Sequence, residues 1–246
     1  MSKEKIIVAL DVETAEQARE IIAELGGAVG AFKIGLQLFT AAGASFVRET
    51  VEAGNRVFLD VKFHDIPNTV AKASVEVARL GVWMFNLHAL GGAEMMRQAV
   101  QEVGEFCEKE NAEKPKIIGV TVLTSANRET LREVGIEGET DAQVLKLARL
   151  VSECGLDGVV ASPLEAETIR KSIENKDFTI VTPGIRSRES ETSDDQKRVK
   201  TAGEAIKAGA DYLVIGRPIV QATNRIRAVE KILEEIWQLN AETSVS

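Results

Sequence analysis

Residues 56–80, RVFLDVKFHDIPNTVAKASVEVARL, join two different patterns in one short segment. Residues 56–63 are rich in apolar, β-branched and aromatic side chains, which predicts a buried strand. Residues 67–80 are amphipathic, and they begin with Pro67, a residue suited to the first turn of a helix. The segment therefore predicts one strand followed by one helix.

The same order of strand and helix recurs on both sides of this segment. Strand-like runs cover residues 6–11, 31–35, 56–63, 83–89, 116–123, 158–162, 178–183 and 212–217. Helical stretches cover residues 14–25, 37–53, 67–80, 92–110, 126–134, 141–154, 163–172 and 202–208, and a last helix ends near residue 239. Near-continuous apolar runs are typical of parallel strands that are buried on both faces. Eight such units in 246 residues predict an α/β fold, a (β/α)8 TIM barrel that forms a single domain over residues 1–246.

Composition excludes several classes of protein. The chain is 44% hydrophobic and 28% charged, as is typical of a soluble globular protein and not of a disordered one. Its net charge of −8 argues against a nucleic-acid partner, because phosphate backbones need clustered Lys and Arg. No segment resembles a secretory signal or a membrane span, so we expect a cytoplasmic protein with no membrane contact. Cys107 and Cys154 lack metal-ligand spacing and are expected to be reduced thiols.

Two polar segments interrupt this rhythm. Residues 185–199 follow the seventh strand and are almost wholly polar. Loops of this length are usually lids or disordered segments, and we expect a lid here. Residues 240–246 are expected to form a frayed tail.

Polar residues collect at the ends of the predicted strands, where barrels of this kind carry their sites. They are Asp11, Lys33, Asp60, Lys62, Asp65, His88, Thr124, Arg186 and Arg217. The third strand is the richest in them. Asp60 and Lys62 are two residues apart, so both should point into the barrel mouth while Val61 points towards the helices.

Each of these residues also has a purely structural explanation. Asp60 and Lys62 could form a satisfied buried ion pair, Asp11 could cap the following helix, and the Lys33 side chain could extend to solvent. Two lysines and two or three aspartates at one end of a barrel nevertheless favour a functional site, because unpaired buried charge is costly. His88 and Trp83 are interpreted as structural.

The eighth strand ends in Gly216 and Arg217, where a helix is predicted to begin. Backbone N–H groups at such a position favour an anion, and barrels often bind phosphate after strands seven and eight. Residues 183–186, Pro-Gly-Ile-Arg, should reach the same edge. The alternative is a plain turn with a surface arginine.

Residues 60–69, DVKFHDIPNT, resemble the D-x-K-x-x-D-I-x-x-T signature of orotidine 5′-phosphate decarboxylases. The resemblance extends over essentially the whole chain and includes residues 9–11, 32–35, 122–125, 182–186, 195–198 and 214–218. One departure is Thr201-Ala202, where many members of the family have Thr-Pro. This departure affects the start of a helix and not the chemistry.

The resemblance implies decarboxylation of orotidine 5′-monophosphate to uridine 5′-monophosphate, a step of de novo pyrimidine biosynthesis, with no metal and no cofactor. The implied catalytic residues are Lys62, Asp60, Asp65 and Lys33. The implied substrate-binding residues are Asp11, Lys33 and Thr69 for the ribose, Thr124 for the pyrimidine, and Arg186, Gln196, Gly216 and Arg217 for the phosphate, with Gln196 carried by the closing loop. Pro183 is also expected to bind substrate. The family also implies a homodimer, in which Asp65 and Thr69 enter the neighbouring subunit's site.

Two other functions remain open at this point. Mg²⁺-dependent sugar-phosphate decarboxylases or aldolases of the same suprafamily share the Asp60-x-Lys62-x-x-Asp65 spacing. They carry a metal-binding glutamate where this chain has Lys33, which would repel a divalent cation. A non-catalytic phosphate-binding barrel is the second alternative, but it would not need the complete set of lysines and aspartates.

Overall fold

A computed structural model describes residues 2–185 and 200–243, in which eight parallel strands form a closed barrel. The strands are Ile6–Ala9 (β1), Ala31–Gly35 (β2), Val57–Phe63 (β3), Met84–His88 (β4), Lys116–Val120 (β5), Gly158–Val160 (β6), Thr179–Thr182 (β7) and Tyr212–Ile215 (β8). Each strand pairs with the next, and β8 pairs with β1. The predicted single-domain (β/α)8 barrel is therefore confirmed.

Helices follow the strands in the predicted order. They are Ala15–Leu25 (α1), Leu36–Glu52 (α2), Pro67–Arg79 (α3), Gly92–Glu110 (α4), Arg128–Glu133 (α5), Thr140–Glu153 (α6), Ala166–Ser172 (α7), Ala202–Lys207 (α8), Arg217–Val220 (α9) and Arg225–Thr243 (α10). Thr14 caps α1 by accepting a hydrogen bond from the Gln17 N–H. Within the described residues, no helix is both long and apolar enough to cross a membrane.

The prediction of one continuous helix after the eighth strand is wrong. The chain forms α9 and α10 instead, and the Asn224 side chain starts the second helix by accepting a hydrogen bond from the Arg227 N–H at 2.8 Å. Helix α10 continues to Thr243, beyond the predicted end near residue 239 and into the segment expected to fray. Residues 244–246 of that predicted tail lie outside the described residues.

The core has two layers, separated by the strands. Alternate strand residues fill the barrel interior and pack as one apolar cluster: Ile7, Ala9, Ala31, Phe58, Met84, Ile118, Val181 and Val214. The other strand residues pack outwards against the helices in a second, larger cluster. The interior cluster forms an apolar floor, above which the polar residues at the strand ends are held.

Strand β3 departs from regular geometry just where its polar residues lie. Its pairing with β4 shifts between Leu59 and Phe63, and Lys62 has a φ of 52°. Val61 packs against the outer cluster, as the alternation predicts. Lys62 reaches the barrel mouth through this irregularity, and the simple alternation of a strand does not describe its backbone.

Candidate active site

A cavity of about 990 Å³ opens at the carboxyl ends of the strands. Most of the predicted site residues lie around it. Those among its lining residues are Asp11, Lys33, Asp60, Lys62, Thr124, Pro183, Gly216 and Arg217. The barrel therefore brings together side chains from six different strand ends in one concave surface.

Lysines and aspartates alternate along one wall of this cavity. The Lys33 Nζ lies 3.1 Å from Asp11 Oδ1 and 3.3 Å from Asp60 Oδ2. The Lys62 Nζ lies 2.7 Å from Asp60 Oδ1. Each oxygen of Asp60 therefore contacts one ammonium group. Asp11, Lys33, Asp60 and Lys62 form a continuous array, called here the charged array.

Burial and charge act in opposite directions on the two innermost members of the charged array. Burial alone would raise the pKa of Asp60, but the neighbouring Lys33 and Lys62 ammonium groups outweigh it and hold that pKa below its usual value. Burial alone would lower the pKa of Lys33, but Asp60 and Asp11 outweigh it and raise that pKa. Both groups therefore remain charged at neutral pH.

Asn86 is a member of this site that the sequence interpretation missed. It is fully buried in β4, and its Nδ2 donates a hydrogen bond to Asp60 Oδ1 at 2.6 Å. Its Oδ1 accepts a hydrogen bond from the backbone N–H of Lys62 at 2.8 Å. A carboxamide in the middle of the otherwise apolar run 84–87 was the available signal.

His88 occupies the end of β4, and its Nδ1 accepts a hydrogen bond from the Leu90 N–H at 3.3 Å. Its ring stacks on that of His64 at 5.3 Å between centroids. Burial, followed by the nearby His64 and Lys62, lowers the pKa of His88. The backbone contact agrees with the structural role expected for this residue.

The predicted phosphate edge lies at the end of β8, next to Asp11 of the charged array. Gly216 precedes α9, and a Cβ at this position would lie 3.5 Å from both Ala9 Cβ and Asp11 Oδ2. Helix α9 has only four residues, Pro218 in it has no N–H, and the N–H groups of Ile219 and Val220 donate to the Gly216 carbonyl oxygen. The helix itself therefore offers little to an anion at this edge. Arg186, Gln196 and residues 186–199 of the expected lid lie outside the described residues.

Asp65 and Thr69 are not brought into the cavity of their own chain. Both are exposed, and Asp65 Oδ1 accepts a hydrogen bond from the Ile66 N–H at 2.6 Å. Large apolar side chains are exposed after four successive strands at this end of the barrel: Leu36, Ile66, Leu90 and Leu123.

Within residues 2–185 and 200–243, no group of three or more His, Cys, Asp or Glu side chains is arranged to hold a metal ion. The Lys33 ammonium lies between Asp11 and Asp60, which are the carboxylates nearest to it.

Comparison with known proteins gives a consistent result. Residues 4–232 match the model of the family described as "Orotidine 5′-phosphate decarboxylase / HUMPS family". A protein of Syntrophotalea carbinolica named orotidine 5′-phosphate decarboxylase is 51% identical over 235 residues, which are 96% of each chain. A protein of Geobacter sulfurreducens with the same name is 51% identical over 96% of this chain and 97% of its own.

Solved structures agree with the sequence relatives. The crystal structure of orotidine 5′-phosphate decarboxylase from Lactobacillus acidophilus superposes with a TM-score of 0.83 at 36% identity, covering 94% of this chain and 98% of that one. An uncharacterized conserved protein from Geobacillus kaustophilus gives a TM-score of 0.81 at 32% identity, over 94% of this chain and 99% of that one. With a family match over nearly its whole length, the chain belongs to the orotidine 5′-phosphate decarboxylase / HUMPS family.

Proposed function

We propose that this protein decarboxylates orotidine 5′-monophosphate to uridine 5′-monophosphate, without a cofactor, as a cytoplasmic enzyme of de novo pyrimidine biosynthesis. The observation that carries the proposal is the placement of Lys62 Nζ on Asp60 Oδ1 at 2.7 Å, in a cavity also lined by Lys33 and Arg217. Relatives about half identical over nearly the full length are named for this activity.

Lys62 is the central group of the proposed mechanism. When the C6–carboxylate bond breaks, CO2 leaves and the electron pair stays on C6 in an sp2 orbital that the ring delocalises poorly. An ammonium group about 4 Å away stabilises this carbanion by roughly 4 kcal/mol at an effective dielectric near 20. Lys62 then gives a proton from Nζ to C6, which completes the product, and it is reprotonated from solvent.

The other members of the charged array keep Lys62 in place and charged. Asp60 accepts the Lys62 ammonium on one oxygen and faces the Lys33 ammonium with the other. Because these charges are fixed before substrate binds, they cost little reorganisation during the reaction, which is the usual source of a large electrostatic contribution. Asp60 and Asp65 would also repel the substrate carboxylate and so favour its departure.

Substrate binding uses the remaining cavity residues. Asp11 and Lys33 would hold ribose hydroxyls, and Thr124 would contact the pyrimidine. Pro183, Gly216 and Arg217 would face the phosphate, completed by Arg186 and Gln196. Binding energy from a phosphate distant from C6 can be used to fix the reacting centre, and closure of the predicted lid 185–199 would use it in this way.

A homodimer would complete the site. Asp65 and Thr69 are exposed and lie outside the cavity of their own chain, and Ile66 between them is 66% exposed. Exposed apolar patches often mark an interface, and Leu36, Ile66 and Leu90 are exposed after three successive strands at this end. Two copies that meet at this end would cover them, and each copy would supply Asp65 and Thr69 to the other's cavity.

The two alternatives fit the site less well. A Mg²⁺-dependent sugar-phosphate enzyme would need an acidic ligand at position 33, where this chain has an ammonium group between Asp11 and Asp60. A non-catalytic phosphate-binding barrel would need the phosphate edge alone. It would give no reason for the charged array, whose burial is costly.

The test is whether the protein turns over orotidine 5′-monophosphate. Turnover is monitored as the loss of substrate absorbance, and the product uridine 5′-monophosphate is identified by chromatography. The assay is run with EDTA and, in parallel, with added Mg²⁺. We expect the same rate in both. Folded protein that forms no uridine 5′-monophosphate would overturn the proposal, and turnover abolished by EDTA would favour a metal-dependent reaction.

A further inference from the structure

We infer that Asn86 is a positioning residue for the decarboxylation, which fixes the backbone of Lys62 and the carboxylate of Asp60 in one arrangement. The inference rests on the proposed function, because it concerns the placement of the proposed proton donor. It adds to the charged array a neutral residue that makes no contact with substrate.

The backbone of Lys62 needs an unusual partner. Leu59 pairs with Phe85 and Phe63 pairs with Leu87, so three residues of β3, numbers 60–62, lie opposite the single residue Asn86. Lys62 has a φ of 52°, a left-handed conformation that is unfavourable for a residue with a Cβ. The Asn86 side chain accepts the Lys62 N–H at 2.8 Å and so stabilises this bulge.

The same side chain also orients Asp60. Asn86 Nδ2 and Lys62 Nζ both donate to Asp60 Oδ1, at 2.6 and 2.7 Å, while Lys33 Nζ faces Asp60 Oδ2. The Asn86 carboxamide is therefore hydrogen-bonded both to the main chain of Lys62 and to the Asp60 carboxylate, which accepts the Lys62 ammonium group. Loss of Asn86 would remove the hydrogen bond that fixes the Lys62 backbone and the one that orients Asp60, the partner of Lys62 Nζ.

Asn86 is fully buried and is not among the residues that line the cavity. Its removal should therefore change the chemical step and leave substrate binding nearly intact. For Asn86→Ala we expect kcat to fall about 100-fold, because a displacement of about 1 Å at a reacting group has an effect of that size. KM should change by less than about three-fold.

Asn86→Asp provides a readout that a purely structural role would not give. The introduced carboxyl would face Asp60, with Lys62 on β3, Lys33 on β2 and His88 on β4 as the other nearby charged or titratable groups. Two adjacent carboxyls share a proton, and one pKa is strongly raised. Its neutral form can donate to Asp60 as the amide does, whereas its ionised form repels Asp60.

The kcat of Asn86→Asp should therefore approach that of the wild type at low pH and fall as pH rises through this raised pKa, in a step absent from the wild type. The isosteric variant keeps both hydrogen bonds when protonated, so it remains testable if Asn86→Ala fails to fold. Thr121→Val is the control, since it removes a buried hydrogen bond to Val160 O on β6 and leaves the hydrogen bonds among Asn86, Asp60 and Lys62 in place.

The experiment measures kcat and KM for the wild type and the three variants from about pH 5 to 9, within the usual stable range of proteins, with folding checked by circular dichroism. A wild type that forms no uridine 5′-monophosphate would defeat the proposed function itself. If the wild type is active, wild-type kcat in folded Asn86→Ala, or an unchanged pH profile in Asn86→Asp, would overturn the role of Asn86. A 100-fold loss in Thr121→Val would do the same, because any buried polar change would then have this effect.

Discussion

Asp60 is the residue on which the charged array depends, because its side chain is only 14% exposed and yet remains ionised. Its carboxylate pairs with the Lys33 and Lys62 ammonium groups and accepts a hydrogen bond from Asn86. These three groups compensate the burial of its negative charge. Removing a partner from such a set leaves an uncompensated buried charge, which is more costly than removing the whole set. The site is therefore sensitive to single changes.

The lowered pKa of Asp60 should make the free energy of unfolding depend on pH in the acid range. A carboxyl with a lowered pKa in the folded state stabilises the fold above its unfolded pKa of about 3.9, and this stabilisation is lost as pH falls towards the lowered value. We expect the difference in unfolding free energy between the wild type and Asp60→Asn to be constant from about pH 5 to 8 and to shrink below about pH 4.

Urea unfolding at fixed protein concentration, followed by circular dichroism at each pH, measures this difference. Parallel acid dependence of the two proteins below pH 4 would show that Asp60 titrates normally in the folded state.

The charged residues of the site could be predicted from the sequence, but the neutral residue that positions them, Asn86, could not. Asp11, Lys33 and Asp60 lie at or near strand ends, and the alternation of a strand predicts that they share one mouth. Lys62 was assigned to the same mouth, but it reaches it through the bulge in β3. Asn86 was missed because its role depends on a bulge in β3, which arises from long-range pairing with β4 and has no local signal.

Strands β6 and β7 leave no room for a side chain at Gly158, which pairs with Thr179. A Cβ at Gly158 would lie 2.0 Å from the Thr179 carbonyl oxygen. Gly104, in the middle of α4, has no neighbouring heavy atom within 4 Å of such a Cβ. Gly158→Ala and Gly104→Ala therefore form a test variant and its matched control.

Gly158→Ala should destabilise the protein by at least about 3 kcal/mol, because the obstruction is backbone and cannot move without separating the strands. Gly104→Ala should stabilise it by about 0.5–1 kcal/mol, since alanine is the better helix former. Thermal unfolding of both variants is the measurement. A Gly158→Ala protein as stable as the wild type would mean that β6 and β7 are further apart than described.

Element boundaries were harder to predict than the elements. The predicted fifth strand covered residues 116–123, but its pairing ends at Val120, and Val122 and Leu123 lie beyond the last paired residue. Apolar character alone does not show where the pairing of a strand ends. The split between α9 and α10 was missed for a related reason, since the break depends on a side-chain cap at Asn224 within a helix-compatible stretch.

At the scale of the whole molecule, the number of strand-and-helix units determined the fold. Eight repeated units leave little chain for other elements, so closure of the barrel could be predicted from the sequence. In the proposed dimer, the position of Asp65 and Thr69 relative to a complete site depends on a second copy, so it could not be derived from one chain's pattern.

The proposed dimer gives a prediction at this scale. Ile66→Lys should place a charge in the interface and produce monomers, with activity falling in parallel because Asp65 and Thr69 no longer reach a second cavity. Trp237→Lys is the control: this residue is 68% exposed on α10, and its change should leave mass and activity as in the wild type.

Analytical ultracentrifugation and turnover assays on the same samples make the comparison. A wild type that is monomeric and active, or an active Ile66→Lys monomer, would rule out a shared site.

The most direct test of the account is the decarboxylation rate of Lys62→Ala with EDTA present, beside the wild type and Lys72→Ala. Lys72 is exposed on α3, and its Nζ lies 2.7 Å from Glu102 Oε2. We predict that Lys62→Ala loses at least about 1,000-fold in rate, the factor that corresponds to roughly 4 kcal/mol of carbanion stabilisation, while Lys72→Ala keeps wild-type activity. A folded Lys62→Ala protein within ten-fold of the wild type would contradict the assignment of Lys62 as the proton donor.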